Sequence, residues 1–482
     1  MSYPIKNWFS GILKYLFPFL LLTSIGCKKL VEVPGPINQI SSANVFSTDA
    51  TAAAVLTGVY TNMSSANAGW QGLDCMFLYP ALSSDELTLY DIHNTLYLYH
   101  YFNALNKIQT GGVDYWLTIY PVIGQLNQAI EGLTTANSLT PAVKQQLMGE
   151  ALFMRAYCYF YLVNFYGDVP LVTNTNYKTN SVLSRTPKTL VWLQIIADLK
   201  NAQNLLSANY LDATVLKVTA ERVRPTKWVA AALLARAYLY NNDYLNAEKQ
   251  ASIVIGNLTL YDLEPLNNVF LKNNNEAIWQ LQPVNTGQFS NTGEGALFVL
   301  PSTGPDVTLT HPVYLSSFVL NSFEPGDQRR VNWVDSVIVG GTAYYFPYKY
   351  KQGLTVTSTT EYSTLLRLGE QYLIRAEARA EQGDISGAQA DLNSIRARAG
   401  LPNTAAATKS ALLTVILHER QVELFTEGGH RWLDLKRTGT VDAVMKVVTP
   451  QKGGTWSTNS QWYPIPLSEL QSDPNLAQNT GY

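Results

Sequence analysis

His418-Glu419 begins the pattern of a zinc-hydrolase helix, in which a second histidine four residues after the first completes one face of metal ligands. Position 422 is valine, so no such site is built and no metal is expected. Glu419, Arg420, Glu423, Glu427, His430, Arg431 and Asp434 follow in quick succession. At spacings of three and four residues such groups meet along a helix surface as ion pairs, and a structural role is expected for them. Asp85-Glu86 offers half of a glycoside-cleaving couple, which needs two carboxyls about 5–5.5 Å or about 6.5–9.5 Å apart across a cleft. With 36 acids in the chain, some pair is always at hand, so this motif is read as an anchor. There is no Ser–His–Asp pattern and no phosphate-binding glycine loop, and histidines number only 5. Neither an enzyme nor a cofactor is expected.

One cysteine does promise chemistry. Lys6 and Lys14 stand without an acid ahead of the apolar run Tyr15–Leu22, and Ser24-Ile25-Gly26 leads directly into Cys27. A basic start, a short apolar core and small residues before the cut form a secretory signal. The apolar run is too short to span a hydrocarbon core of about 30 Å. A cysteine at that place can take a diacylglycerol on its thiol, and acyl chains contribute about 0.8 kcal/mol per buried CH₂. Residues 1–26 are therefore expected to be cleaved, leaving lipidated Cys27 at the head of an extended leader, 27–45, punctuated by Pro34-Gly35-Pro36. Cys158 lies in an apolar helical run and reads as a small core residue. Nothing in the spacing decides whether Cys75 pairs with it.

A formal charge of −2 shows no basic stripe and argues against a nucleic-acid partner. Charged residues make up 15%, against about 25% in an average globular chain, while tyrosines number 29. Such a surface must be built from neutral polar and aromatic groups, which suits neutral ligands such as sugars.

The elements that position these residues are mainly helical. Helices are expected from Asp49 through Tyr60, over Tyr115–Leu133 and Ala142–Phe165, and over Pro187–Leu206 with Thr186 as cap. Gly167-Asp168-Val169-Pro170 stops the third. Ala235-Arg236-Ala237-Tyr238 leads through Asp243 to Ala247, and Ala376-Glu377-Ala378-Arg379 leads through Asp384 to Ala388. This is tetratricopeptide logic: small residues let paired helices approach, and each aspartate caps the second helix. Between the copies, residues 258–360 lose helical periodicity, and Trp333–Phe346 alternates as strands around Gly340-Gly341. Long ordered loops with a little β structure are expected there.

The motifs then fall into a recognisable order. Thr57-Gly58-Val59-Tyr60, Ser84-Asp85-Glu86, Arg155-Ala156-Tyr157 and Phe165-Tyr166-Gly167-Asp168-Val169-Pro170 come first. Arg224-Pro225-Thr226, Leu366-Arg367-Leu368-Gly369-Glu370 and Arg396-Ala397-Arg398-Ala399-Gly400 follow. Glu419 through Phe425, Glu427 through Leu435, and the closing Tyr463-Pro464-Ile465-Pro466 complete the series. In this series the chain resembles the SusD/RagB family of outer-membrane nutrient-binding lipoproteins of Bacteroidetes. The resemblance implies a tetratricopeptide-like scaffold with long ligand-binding loops, divided into an N-terminal region, 46–210, and a C-terminal region, 211–482. It implies a lipid-anchored, surface-exposed outer-membrane protein that passes glycan to a SusC-like TonB-dependent transporter. Two alternatives stand beside it: peptide as ligand, as in the RagB branch, or a helical-repeat envelope scaffold without a nutrient. The family's ligand regions map onto Trp70, Asp85, Tyr90, Tyr97 and Tyr99 near the Ser-Asp-Glu motif, and onto Trp333, Tyr344 and Tyr345 in the insertion.

Overall fold

Between Gly149 and Tyr166 every residue but Asn164 is buried, and a helix covered on all sides must lie at the centre of its domain. The computed structural model describes residues 45–64, 76–110, 115–284, 290–307, 310–354 and 358–482. The helices and strands from Asp49 onward lie in one compact unit, Phe46–Tyr482. Cys27, Trp70 and Cys75 lie outside the described residues.

The longer helices are α1 (Asp49–Ser64), α2 (Tyr115–Thr135), α3 (Pro141–Tyr166), α4 (Lys188–Leu205), α5 (Lys227–Tyr240) and α6 (Tyr244–Ile255). After the insertion come α7 (Leu368–Gln382), α8 (Ile385–Arg398), α9 (Lys409–Glu423), α10 (His430–Arg437) and α11 (Val441–Lys452). From α2 to α8 each helix packs on the next, a nearest-neighbour series characteristic of helical repeats. The alanines expected at the crossings, Ala235, Ala237, Ala247, Ala376, Ala378 and Ala388, are all buried. Asp243 and Asp384 cap α6 and α8, accepting from the backbone N–H of Asn246 and Gly387. Thr186 is not a cap: it pairs with Val169 in an isolated bridge, and the Asp168 carboxylate accepts from the Lys188 N–H at 2.7 Å instead. Cys158 is a free, buried thiol whose pKa burial pushes up to about 12.

Among the described residues, three antiparallel pairs supply the β-sheet structure: β1 (Leu87–Leu89) with β3 (Val313–Leu315), β2 (Ala277–Leu281) with β6 (Ser363–Arg367), and β4 (Val334–Val339) with β5 (Thr342–Pro347). The last is a hairpin whose turn residues, Gly340 and Gly341, have φ of 58° and 83°. Two consecutive positive φ values are what a two-residue turn matching strand twist requires, and glycine takes them without strain.

The charged motifs form a buried web, not a row of surface pairs along one helix. Glu423, at the end of α9, accepts from Arg367 at 2.6 Å and Arg329 at 2.9 Å, and also pairs with Arg398. Arg367 reaches Glu276 and Glu427 as well, and Arg329 reaches Glu419 and Asp327. Every side chain in this web is buried or nearly so, and all but the Arg329–Asp327 pair join residues distant in sequence. Burial would raise the Glu423 carboxyl, but Arg398, Arg367 and Arg329 outweigh it and hold it well below the usual range. The space between them is full: a Cβ on Gly369 would stand 2.6 Å from Arg367 Nη1 and 2.9 Å from Glu276 Oε1. Arg236 and Glu370 form a second buried pair with two 2.6 Å contacts, tying α5 to α7.

Removing one member of such a web leaves unpaired charge in a dry core. Arg367→Met is expected to cost about 3–5 kcal/mol of unfolding free energy, read by urea denaturation. A loss below about 1 kcal/mol would mean that the web is peripheral to stability.

Candidate ligand-binding surface

Alternation along two short strands selects which side chains face outward. In β1 and β3, Leu87, Leu89, Val313 and Leu315 are buried, while Thr88 and Tyr314, directly paired across the strands, point the other way. Tyr90, two residues beyond Thr88, is on the same face and is fixed by its N–H to the Pro312 carbonyl at 2.8 Å. The β4–β5 hairpin then brings Tyr344 onto this pair. Its ring lies 5.2 Å from Tyr314 at 85° and 5.8 Å from Tyr90 at 77°. These are edge-to-face contacts, the arrangement aromatic quadrupoles favour.

The three tyrosines make an open aromatic platform. Tyr90 is 41% exposed, and Tyr314 and Tyr344 are half-buried. Beneath them Tyr101 is buried against Thr88 and Tyr314, and burial pushes its hydroxyl up to about 12. At the rim, exposed His93 donates its backbone N–H to the Asp91 carboxylate at 2.9 Å, and the ring nitrogen meets the same oxygen at 3.1 Å. The geometry offers ring faces and edges for stacking, phenolic hydroxyls for hydrogen bonds, and a rim that can both donate and accept.

Of the candidates named from the sequence, the structure brings Tyr90 and Tyr344 together, and it adds Tyr314, which sequence reading did not single out. The signal for Tyr314 was present in Pro312-Val313-Tyr314-Leu315, a short apolar–polar alternation inside the insertion.

The other described candidates lie apart from this platform. Trp333 is 0% exposed, donates its ring N–H to the Leu266 carbonyl at 2.8 Å, and roofs the ion web with Lys349, Arg367 and Arg398 near its face. Tyr97 is 0% exposed and packs beside Tyr79. Tyr99 is half-buried against the core. Tyr345, one residue from Tyr344, points to the opposite face of the hairpin, where Arg330 sits 4.8 Å from its ring centre. Asp85 is a buried anchor, held by Arg431 in a two-pronged pair of 2.8 and 2.7 Å.

Glu86 beside it is sealed in. Its carboxylate accepts from the Thr426 N–H at 3.0 Å, and burial pushes its pKa up to about 8. A raised carboxyl contributes stability that is complete below about pH 4.5 and is lost as pH rises through 8. Glu86→Gln cannot ionise, so its stability relative to the natural chain should climb by at least about 1 kcal/mol between pH 5 and 8.5. Denaturation curves that stay parallel across this range would refute a protonated Glu86.

Comparison with known proteins places this geometry in context. A profile described as the SusD family matches residues 332–482, and one described as starch-binding, associating with outer membrane, matches residues 38–239. The chain is 28% identical over 519 residues to SusD-like protein P2 of Formosa agariphila, covering 97% of this chain and 99% of that one. It is 35% identical to starch-binding protein SusD of Bacteroides thetaiotaomicron over 123 residues, 24% of this chain and 21% of that one. Among solved structures, a SusD superfamily protein from Bacteroides vulgatus aligns with a TM-score of 0.76 at 19% identity, over 90% of this chain and 99% of that one. A laminarin-binding SusD-like protein aligns with a TM-score of 0.72 at 23% identity, over 89% and 99%.

Proposed function

Since this chain belongs to the SusD/RagB family, we propose that it is a non-catalytic glycan-binding lipoprotein of the outer membrane, anchored through Cys27. In this reading it hands its ligand to a SusC-like TonB-dependent transporter. The observation that carries the reading is the tyrosine platform of Tyr90, Tyr314 and Tyr344. The apolar C–H face of a sugar ring stacks on an aromatic face, while the hydroxyls around it hydrogen-bond to phenols and rim groups. Neither contact needs a charge, which suits a chain so poor in charged residues. The starch-binding and laminarin-binding relatives support a neutral glycan as the ligand class.

The fold supplies rigidity at little cost to accessibility. β1 and β3 stand on a fully apolar inner face, and the hairpin is held at its base by buried Trp333 and Val334. The three rings are thus ordered before ligand arrives, which reduces the entropy lost on binding.

The test is affinity electrophoresis in gels carrying laminarin, soluble starch or no polysaccharide, followed by titration calorimetry with the retarding glycan. Tyr344→Ala removes the ring that touches both others and should weaken Kd at least tenfold, about 1.4 kcal/mol. Unchanged affinity, or preference for a peptide panel over every glycan, would contradict the proposal.

A further inference from the structure

A cavity of about 250 Å³ opens between the start of α2, the chain 170–183 and the short closing helix Leu467–Ser472. It shares no residue with the tyrosine platform. That volume falls just below the clefts that hold drug-sized molecules, which leaves room for one small unit. We propose that it binds an organic ammonium ion, the free amine of an amino sugar.

The charge of the cavity is one-sided. Glu469 and Asp473 stand one helical turn apart, and the Asp473 N–H donates to the Glu469 carbonyl at 2.9 Å. Like charges at that spacing repel. Asp473 also caps the C-terminal end of its helix, where the dipole disfavours a further negative charge. No lysine or arginine is among the described lining residues to offset either acid. Arg185 stands close to Tyr120 but is engaged elsewhere. It donates to the carbonyls of Asp168, Ala477 and Tyr166 and to the Asn479 side chain.

Each carboxylate is oriented by one oxygen and open at the other. Glu469 Oε2 accepts from the Trp116 ring N–H at 3.2 Å, and Asp473 Oδ1 accepts from the Asn475 N–H at 2.9 Å. Among the described residues no donor meets Glu469 Oε1 or Asp473 Oδ2, and neither oxygen is sealed from solvent. Asp473 is only 9% exposed, which limits how far water can stabilise its charge. The wall beside the acids is aromatic. Trp116 and Tyr120 lie 4.9 Å apart at 51°, and the Tyr120 hydroxyl donates to the Pro170 carbonyl at 2.8 Å. Carboxylates accept charge-assisted hydrogen bonds from an ammonium group, and aromatic faces attract the same cation. Ser181 and Ser472 also line the cavity, and their hydroxyls can pair with those of a sugar ring, which a bare alkyl amine lacks. The two acids repel uronate and sulfated sugars.

Titration calorimetry on the full chain tests the assignment, with D-glucosamine below neutral pH, where its amine is charged. N-acetylglucosamine, which lacks the charge, and Nα-acetyl-lysine amide, which lacks the ring, are the comparison probes. Glucosamine should bind at least tenfold more tightly than either. Asp473→Asn and Glu469→Gln keep the shape and remove one charge each, and each should weaken glucosamine at least fivefold. Their thermal midpoints should hold or rise, because a like-charge repulsion is relieved. Tyr344→Ala, which disables the platform, should leave glucosamine affinity within twofold. No glucosamine binding by the natural chain, equal binding of N-acetylglucosamine, or a lysine amide that binds as tightly would overturn the proposal and leave the platform reading intact. Affinity that survives both charge-removing variants, or that is lost in Tyr344→Ala, would overturn it by placing the amine elsewhere.

Discussion

Glu423 receives Arg329, Arg367 and Arg398 in a space that excludes water, and much of the C-terminal architecture depends on that one convergence. Each guanidinium arrives from a different segment: Arg329 from the insertion, Arg367 from the end of β6, and Arg398 from the end of α8. Desolvating any one of these ions costs several kcal/mol, so none can be buried without the others. The result is an all-or-none junction in which strand, repeat helices and insertion must be assembled together. Trp333 closes it from above and belongs to the same chain segment as the β4–β5 hairpin. The hairpin that carries Tyr344 is in this way braced on the ionic core.

This junction also accounts for the ordered motif series in the sequence. Leu366-Arg367-Leu368-Gly369-Glu370, Arg396-Ala397-Arg398 and Glu419 through Glu427 are separate in the chain but are parts of one contact set. Gly369 stands in its motif because a side chain there would collide with Arg367 and Glu276. Arg431 reaching back to Asp85 does the same for the N-terminal Ser-Asp-Glu motif. The motifs are records of burial, whereas the proposed binding surface is assembled from Tyr90, Tyr314 and Tyr344, none of which lies in a motif.

The same division between motif and surface governs what the sequence makes legible. Helical periodicity, alanine spacing and the capping aspartates identify the scaffold, because those signals are local and repeat every few residues. The Gly340-Gly341 turn announces its hairpin for the same reason. Helix spacing suggests that Glu419, Glu423 and Glu427 pair along one surface, but their partners come from distant segments that spacing cannot see. Trp333 and Tyr97 read as ligand contacts because an aromatic in a loop-rich region looks alike whether it faces solvent or core. Tyr314 is hidden in a strand of three residues, whose role emerges only from pairing with Leu87–Leu89.

A rigid scaffold of buried charge thus holds the tyrosine platform for which we propose binding without charge. The most direct measurement of that claim is a crystal structure of the chain with the glycan it retains in affinity gels. The account predicts a sugar ring stacked about 4 Å above Tyr90, Tyr314 or Tyr344, with those rings in the positions they hold without ligand. A sugar ordered elsewhere on the molecule with the platform bare, or rings that must be rebuilt to admit it, would contradict it.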